Sequence, residues 1–311
     1  MAKYVAILDL GTNTFHLLVV RELPDLGFEV VERLQAAVKL GEGGMMNNLI
    51  TEGGIKRGLQ TIEKVKRVLN RYPGAAFIAI GTSMLREATN SDSFIARAEE
   101  VLDAEIRVIS GDKEAEYIAH GVRQAVAFEK KPALIMDIGG GSVEFIIAND
   151  TDIFWKRSYE TGAARLKEKF SLKAPVSKQQ VELICKFLDD ELGELFEKTK
   201  EYNIDTLAGA AGSFETLAQV DRIRYGLVDI PVTHAIDMEH FQAIYNKILS
   251  STHKEIIEIP GMVAFRADMI SAALITTDYV VRKAGIKTMI FSDYSMKEGV
   301  LYVELHKRLH H

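Results

Sequence analysis

One unit occurs twice in this chain. AILDLGTNTFHLLVV at residues 6–20 and LIMDIGGGSVEFIIA at residues 134–148 align without a gap. Asp9 falls on Asp137, Gly11 on Gly139, Thr14 on Ser142 and His16 on Glu144. Each copy is an apolar run, an aspartate, a glycine-containing turn with a hydroxyl, and a second apolar run. That pattern reads as strand, tight turn, strand. A third strand pattern follows each copy, at 28–39 and at 152–159. A repeated three-strand meander predicts two related domains, and 311 residues suit two cores better than one.

Between the copies, Ile55, Leu59, Ile62, Val65 and Leu69 keep helical spacing until Pro73-Gly74. A buried strand, AFIAIG at 76–81, comes next, then a helix carrying Phe94, Ala98 and Leu102. A strand at 106–110 and a helix from Gly111 to Val126 complete the first half. Alternation after the meander predicts parallel crossovers and an α/β class. The polar stretch FEKKPA at 128–133 reads as a linker, dividing the chain into domains 1–127 and 128–311. Beyond the second meander the pattern predicts helices at 162–169, 178–199, 237–249, 264–283 and 295–309, with a strand at 288–292. Ser177 and Gln180 form a capping-box pattern. DTLAGAAGS at 205–213 reads as a strand entering a third glycine turn.

Composition narrows the function. The net charge of −6 argues against a protein that coats nucleic acid, since phosphate neutralisation needs a basic excess. A local cation cluster for a small anion remains open. The single cysteine, Cys185, excludes an intrachain disulfide and sits at a core position of a helical pattern. No histidine pair has metal-ligand spacing. Asp9 interrupts the N-terminal apolar run too early for a secretory leader. The longest apolar helix, near 269–281, contains Asp278 and is too short to span a bilayer. The reading is a cytoplasmic protein without a membrane partner.

Tight turns with glycine and a hydroxyl present clustered backbone N–H groups, which bind phosphate. Gly11, Thr12, Asn13 and Thr14 form one candidate phosphate turn, Gly139, Gly140, Gly141 and Ser142 the second, and Gly212 with Ser213 the third. Asp137 and Glu144 flank the second turn, so its hairpin brings two carboxylates together, which suits Mg²⁺. Glu114 lies in the first turn of a helix, beside its apolar stripe of Ala115, Ile118, Ala119 and Val122, and so can face an interdomain cleft. Arg86 follows a buried strand and is placed to meet an oxyanion or to pair with Glu87 or Asp92. Arg266 and Lys297 are further cations, weaker candidates because helical cations are usually solvated.

DLGTNTFHLLVV, TSMLREATN, ISGDKEAEYIAHGV, MDIGGGSVEF, GAAGSFETL and SDYSMKEGVLY occur in one order. In that order they resemble the exopolyphosphatase/guanosine pentaphosphate phosphatase family. The resemblance covers nearly the whole chain. It implies two ribonuclease H-like domains of the actin-like ATPase superfamily, each a mixed five-stranded sheet with flanking helices, around an interdomain cleft. It implies that the last helix, 296–309, packs back on the first domain. By the same resemblance Glu114 activates the attacking water, Arg86 contacts phosphate, Asp137 and Glu144 hold Mg²⁺, and the protein is a homodimer. The implied reaction is hydrolysis of the terminal phosphate of inorganic polyphosphate or of guanosine pentaphosphate. A superfamily kinase or ATPase and a non-enzymatic, actin-like or nucleotide-sensing protein are the rival readings. The chain departs from the family at Lys113, usually an acid, at Glu116, usually a base, and in the third turn, where Ala-Gly-Ser-Phe replaces an ending in Gly-Thr.

Overall fold

The computed structural model describes residues 3–24, 27–128, 130–226 and 232–307. The first half opens with β1 (Tyr4–Leu10), β2 (Thr14–Glu22) and β3 (Phe28–Ala37). Helix α1 (Glu52–Leu69), strand β4 (Ala76–Gly81), helices α2 (Ser83–Glu87) and α3 (Ser91–Leu102), strand β5 (Ile106–Val108) and helix α4 (Gly111–Arg123) follow. The second half repeats the meander as β6 (Ala133–Ile138), β7 (Val143–Ala148) and β8 (Ile153–Tyr159). Then come α5 (Ala163–Lys169), α6 (Lys178–Glu191), α7 (Gly193–Glu201), β9 (Thr206–Ala210) and α8 (Ala211–Tyr225). The chain ends with β10 (Thr233–Ile236), α9 (Met238–Ser250), α10 (His253–Ile257), α11 (Ile270–Ala284), β11 (Thr288–Ser292) and α12 (Met296–Lys307). Asp25 and Leu26, between β2 and β3, and the end of the expected last helix, 308–309, lie outside the described residues, as do His310 and His311.

The first sheet has the order β3-β2-β1-β4-β5, antiparallel through the meander and parallel from β1 to β4 to β5. The second has six strands, β10-β11-β9-β6-β7-β8. The expectation of five strands in each sheet is therefore corrected for the second. The addition is β10, a four-residue strand antiparallel to β11, too short and too weakly alternating to read from sequence. The helix expected at 178–199 is two helices, interrupted at Leu192, whose backbone leaves the helical region. The Ser177–Gln180 capping box is present.

The central strands β1, β2, β6, β7 and β9 are buried on both faces, which is why they are near-continuous apolar runs. Along β1, Ala6, Leu8 and Leu10 pack with α1 and α3, while Val5 and Ile7 point the other way. Along β6, Leu134 and Met136 pack with the outer helices of the second half, while Ala133 and Ile135 join Val5 and Ile7. That shared layer is completed by Ala115, Ile118 and Val122 of α4 and by Met296, Val300 and Leu301 of α12. The two sheets thus sandwich a pair of helices drawn from both halves. The α4–α12 crossing is close because it is glycine on glycine. A Cβ on Gly121 would lie 1.9 Å from the Ser295 carbonyl oxygen, and one on Gly299 would lie 1.7 Å from that of Tyr117. Lys39–Asp268 forms an ion pair across the opposite rim, where Glu168 also accepts from the Gly43 and Met46 amides at 3.2 and 3.3 Å.

Candidate active site

The repeated hairpins share one register. Asp9 sits opposite His16 in the first, and Asp137 opposite Glu144 in the second. The turns close alike: Gly11 N–H donates to the Thr14 carbonyl at 3.2 Å and Gly139 N–H to that of Ser142 at 3.0 Å. The two turns face each other. A Cβ on Gly140 would stand 3.2 Å from the Cβ atoms of Asn13 and Thr12, and one on Gly141 would stand 2.2 Å from Ser83 Oγ. Glycine at 140 and 141 lets the two walls approach this closely.

Behind the facing turns lies a cleft of about 270 Å³. Gly11, Thr12, Asn13, Thr14, Gly139, Gly140, Gly141, Ser142, Gly212 and Ser213 all line it, as do Glu114, Asp137 and Glu144. The third turn is not a loop: β9 passes directly into α8, so Gly212 and Ser213 belong to a helix N-terminus, a place suited to anions. Some acceptors of the first turn are already engaged. The Thr12 hydroxyl accepts from Met84 N–H at 3.2 Å, and the Asn13 carbonyl accepts from the Val38 and Lys39 amides.

Arg86 is absent from the cleft wall. It lies behind Glu114, where Nη1 donates to Glu114 Oε2 at 3.2 Å and to the Ile109 carbonyl at 3.1 Å. The alternative to phosphate contact, pairing with Glu87, is present at 3.4 Å. Arg266 and Lys297, the weaker candidates, do line the cleft. Arg266 is buried, held by Thr216 at 3.1 Å and Glu215 at 2.7 Å, with its guanidinium against Gly212. The sequence reading missed Ser158, whose hydroxyl donates to Glu144 at 2.7 Å, and Ser295, whose hydroxyl donates to Asp137. Their only sequence signal is position, in a strand facing a known hairpin and just before a helix. The departures Lys113 and Glu116 pair with each other, and Glu116 also takes Lys156 at 2.9 Å, so they form an ion cluster on α4 outside the cleft.

The carboxylates crowd one another in a desolvated site. Burial, and after it the Asp137 charge, push Glu144 up to about 8, against the hydroxyls of Ser142 and Ser158. Burial raises Asp9 to about 7, with Lys297 opposing and Asp137 adding to the rise. Burial raises Asp137 too, although Ser295 and Lys297 counter it. Glu114 is held well above the ordinary carboxylate range, first by burial, then by the Glu144 charge, with Arg86 pulling the other way. Burial works against the Lys297 ammonium, yet Glu298, Asp9 and Asp137 together hold it above its usual value. Buried acids repelling one another are a group that a divalent cation would relieve. Among the described residues no set of three or more His, Cys, Asp or Glu converges tightly enough to enclose a metal alone. Two carboxylates with water and phosphate oxygens are the usual company of Mg²⁺, so Asp137 and Glu144 fit such an ion.

Residues 18–308 match the model of the Ppx/GppA phosphatase family. The chain is similar to the crystal structure of an exopolyphosphatase from Cytophaga hutchinsonii, with 34% identity, 98% of each chain covered and a TM-score of 0.95. It is 28% identical to a Haemophilus influenzae protein provisionally named an exopolyphosphatase, over 96% of this chain and 91% of that one. A guanosine-5'-triphosphate,3'-diphosphate pyrophosphatase of Photobacterium profundum is 25% identical over 98% of this chain, which spans only 60% of that protein. No helix among the described residues is long and apolar enough to cross a membrane. With the matched family model covering most of its length and a solved relative sharing its fold from end to end, this chain belongs to the Ppx/GppA phosphatase family.

Proposed function

We propose that this protein is a phosphoanhydride hydrolase that releases terminal phosphate from inorganic polyphosphate, from guanosine pentaphosphate, or from both. The observation that carries this reading is the pair of same-register hairpin turns facing one cleft that also contains the buried carboxylate of Glu114. The amides of both turns, the α8 N-terminus, Arg266 and Lys297 would bind the non-bridging oxygens. Glu114 would take a proton from water as the water oxygen bonds to the terminal phosphorus. The bridging P–O bond breaks, and the shortened chain leaves as an anion. A base working near neutrality needs a pKa above the ordinary carboxylate value, which the burial of Glu114 supplies. Asp137 and Glu144 would hold Mg²⁺, which would neutralise phosphate charge there. A homodimer in the cytoplasm completes the proposal.

The test is phosphate release with Mg²⁺ from short polyphosphate, long polyphosphate, guanosine pentaphosphate and ATP in parallel. Glu114→Gln serves as the control on every substrate. Release lost by a factor of about 10²–10⁴ in the variant, with substrate binding kept, is the expected result. Release from none of them, or release indifferent to Glu114, refutes the reading. Release that requires an added acceptor makes the protein a phosphotransferase instead.

A further inference from the structure

Glu160 stands at the end of β8, in the second half of the chain, yet its carboxylate serves both halves. Oε2 accepts from Arg165 Nη2 at 2.7 Å and from Ser83 Oγ at 3.4 Å, while Oε1 lies 3.6 Å from Arg86 Nη2. Arg165 in turn donates from Nε to the Gly141 carbonyl at 3.1 Å, in the second phosphate turn. Arg86 donates to Glu114. Its Nη2 is buried and has no hydrogen-bond partner, so the nearby Glu160 charge is what faces it. A continuous set of charged contacts therefore runs from the Gly141 turn through Arg165, Glu160 and Arg86 to Glu114.

This set crosses between the two halves. Arg86, Ser83 and Glu114 belong to the elements of the first sheet, and Glu160, Arg165 and Gly141 to those of the second. β8 is the edge strand of its sheet and packs along the start of α4, where a Cβ on Gly111 would lie 2.4 Å from the Ser158 Cβ. The same strand sends Lys156 to Glu116 at 2.9 Å and Ser158 to Glu144 at 2.7 Å. The end of β8 thus reaches the second turn within its own half, and reaches Arg86, beside the base, across the two halves.

We infer that Glu160 is a positioning residue: it fixes Arg86, and through it Glu114, when the two halves close on substrate. The inference rests on the proposed hydrolysis. Glu160 itself touches neither substrate nor the reacting atoms. Its carboxylate makes the orientation of the base depend on closure, so that Glu114 is aligned only around a gripped phosphate.

The experiment compares wild type, Glu160→Gln, Glu160→Asp, Arg86→Gln and the Glu160→Gln/Arg86→Gln double variant on the best substrate. Glu160→Gln is expected to lose about tenfold in kcat with KM within about twofold, the size of effect seen when an outer partner of a functional side chain is removed. Glu160→Asp should recover part of that loss. The double variant should be no slower than Arg86→Gln alone, because Glu160 acts through Arg86. Hydrogen–deuterium exchange, which does not depend on activity, should quicken at residues 83–87 and 111–114 in Glu160→Gln. Wild-type kcat in Glu160→Gln, a higher kcat, or additive losses in the double variant would overturn the inference and leave hydrolysis standing. A wild-type protein that hydrolyses nothing would remove both, whereas unchanged exchange in an active enzyme would remove the clamp alone.

Discussion

Gly121→Ala is a severe test of how this fold carries its chemistry. In a helix interior that change ordinarily stabilises by about 1 kcal/mol, because alanine is the better helix former. Here the new Cβ would start 1.9 Å from the Ser295 carbonyl oxygen, against the 3.4 Å of ordinary contact. Backbone cannot rotate out of the way, so α12 must move from α4 by about 1.5 Å, the difference between those two distances. Overpacking of this kind costs about 1–3 kcal/mol. The same shift displaces Lys297 on α12 relative to Glu114 on α4, and a misplacement of about 1 Å can cost a hundredfold in rate. Scanning calorimetry and phosphate release, assayed well below either melting temperature, would read the two effects separately. The expected result is a Tm lower by roughly 5 °C and a kcat lower by about tenfold or more. Gly53→Ala is the control: exposed in the first turn of α1, its Cβ would meet only the tip of Arg57, and it should be neutral or slightly stabilising. A Gly121→Ala protein with unchanged Tm and kcat would refute the view that the glycine contact sets the spacing of the two helices.

Three further outcomes are expected. Gly141→Ala places a Cβ 2.2 Å from Ser83 Oγ and should lower kcat/KM by holding the turns apart; adding Ser83→Gly should recover part of the loss, and no recovery would show that the clash is not the cause. Glu144→Gln should raise the Mg²⁺ concentration for half-maximal activity by about tenfold, as expected for a lost charged ligand, and an unchanged Mg²⁺ titration would remove Glu144 from the metal site. Asp221→Asn removes a buried charge that pairs with His234 and His240, each at 2.9 Å. It should destabilise by about 2 kcal/mol in urea melts while leaving phosphate release intact, since Asp221 lies outside the cleft.

The hairpins were legible because their information is local. Asp, glycine, hydroxyl and flanking apolar runs fall within fifteen residues of sequence, and the register pairs Asp9 with His16 and Asp137 with Glu144 as the alignment requires. Glu114 was legible from its place beside an apolar stripe. What escaped depends on contacts between distant segments. Arg86 follows a buried strand, yet the carboxylates that hold it behind Glu114 come from positions 114 and 160. Lys297 and Arg266 sit on helical segments that read as solvated; packing against the start of α8 brings Arg266 to the cleft, and the seating of α12 on α4 brings Lys297 there. The break at Leu192 leaves the apolar spacing intact, so periodicity could not show it. β10 is paired on one side only, and its few residues carry almost no alternation.

The likeness of the two hairpins makes their difference in charge at one aligned position informative. A linear phosphate chain reads the same from either end, but the cleft does not. His16, kept uncharged by burial and by the cations Lys297, Arg266 and Arg33, stands on one side, and Glu144 occupies its counterpart on the other. A ligand without polarity therefore meets walls of opposite character, and because its two ends are equivalent either of them can be the one that meets the acidic wall. The repeat supplies two related grips, and an acid at this position in one of them makes the walls unlike; in the proposed hydrolysis a chain is shortened at whichever end meets the acidic wall.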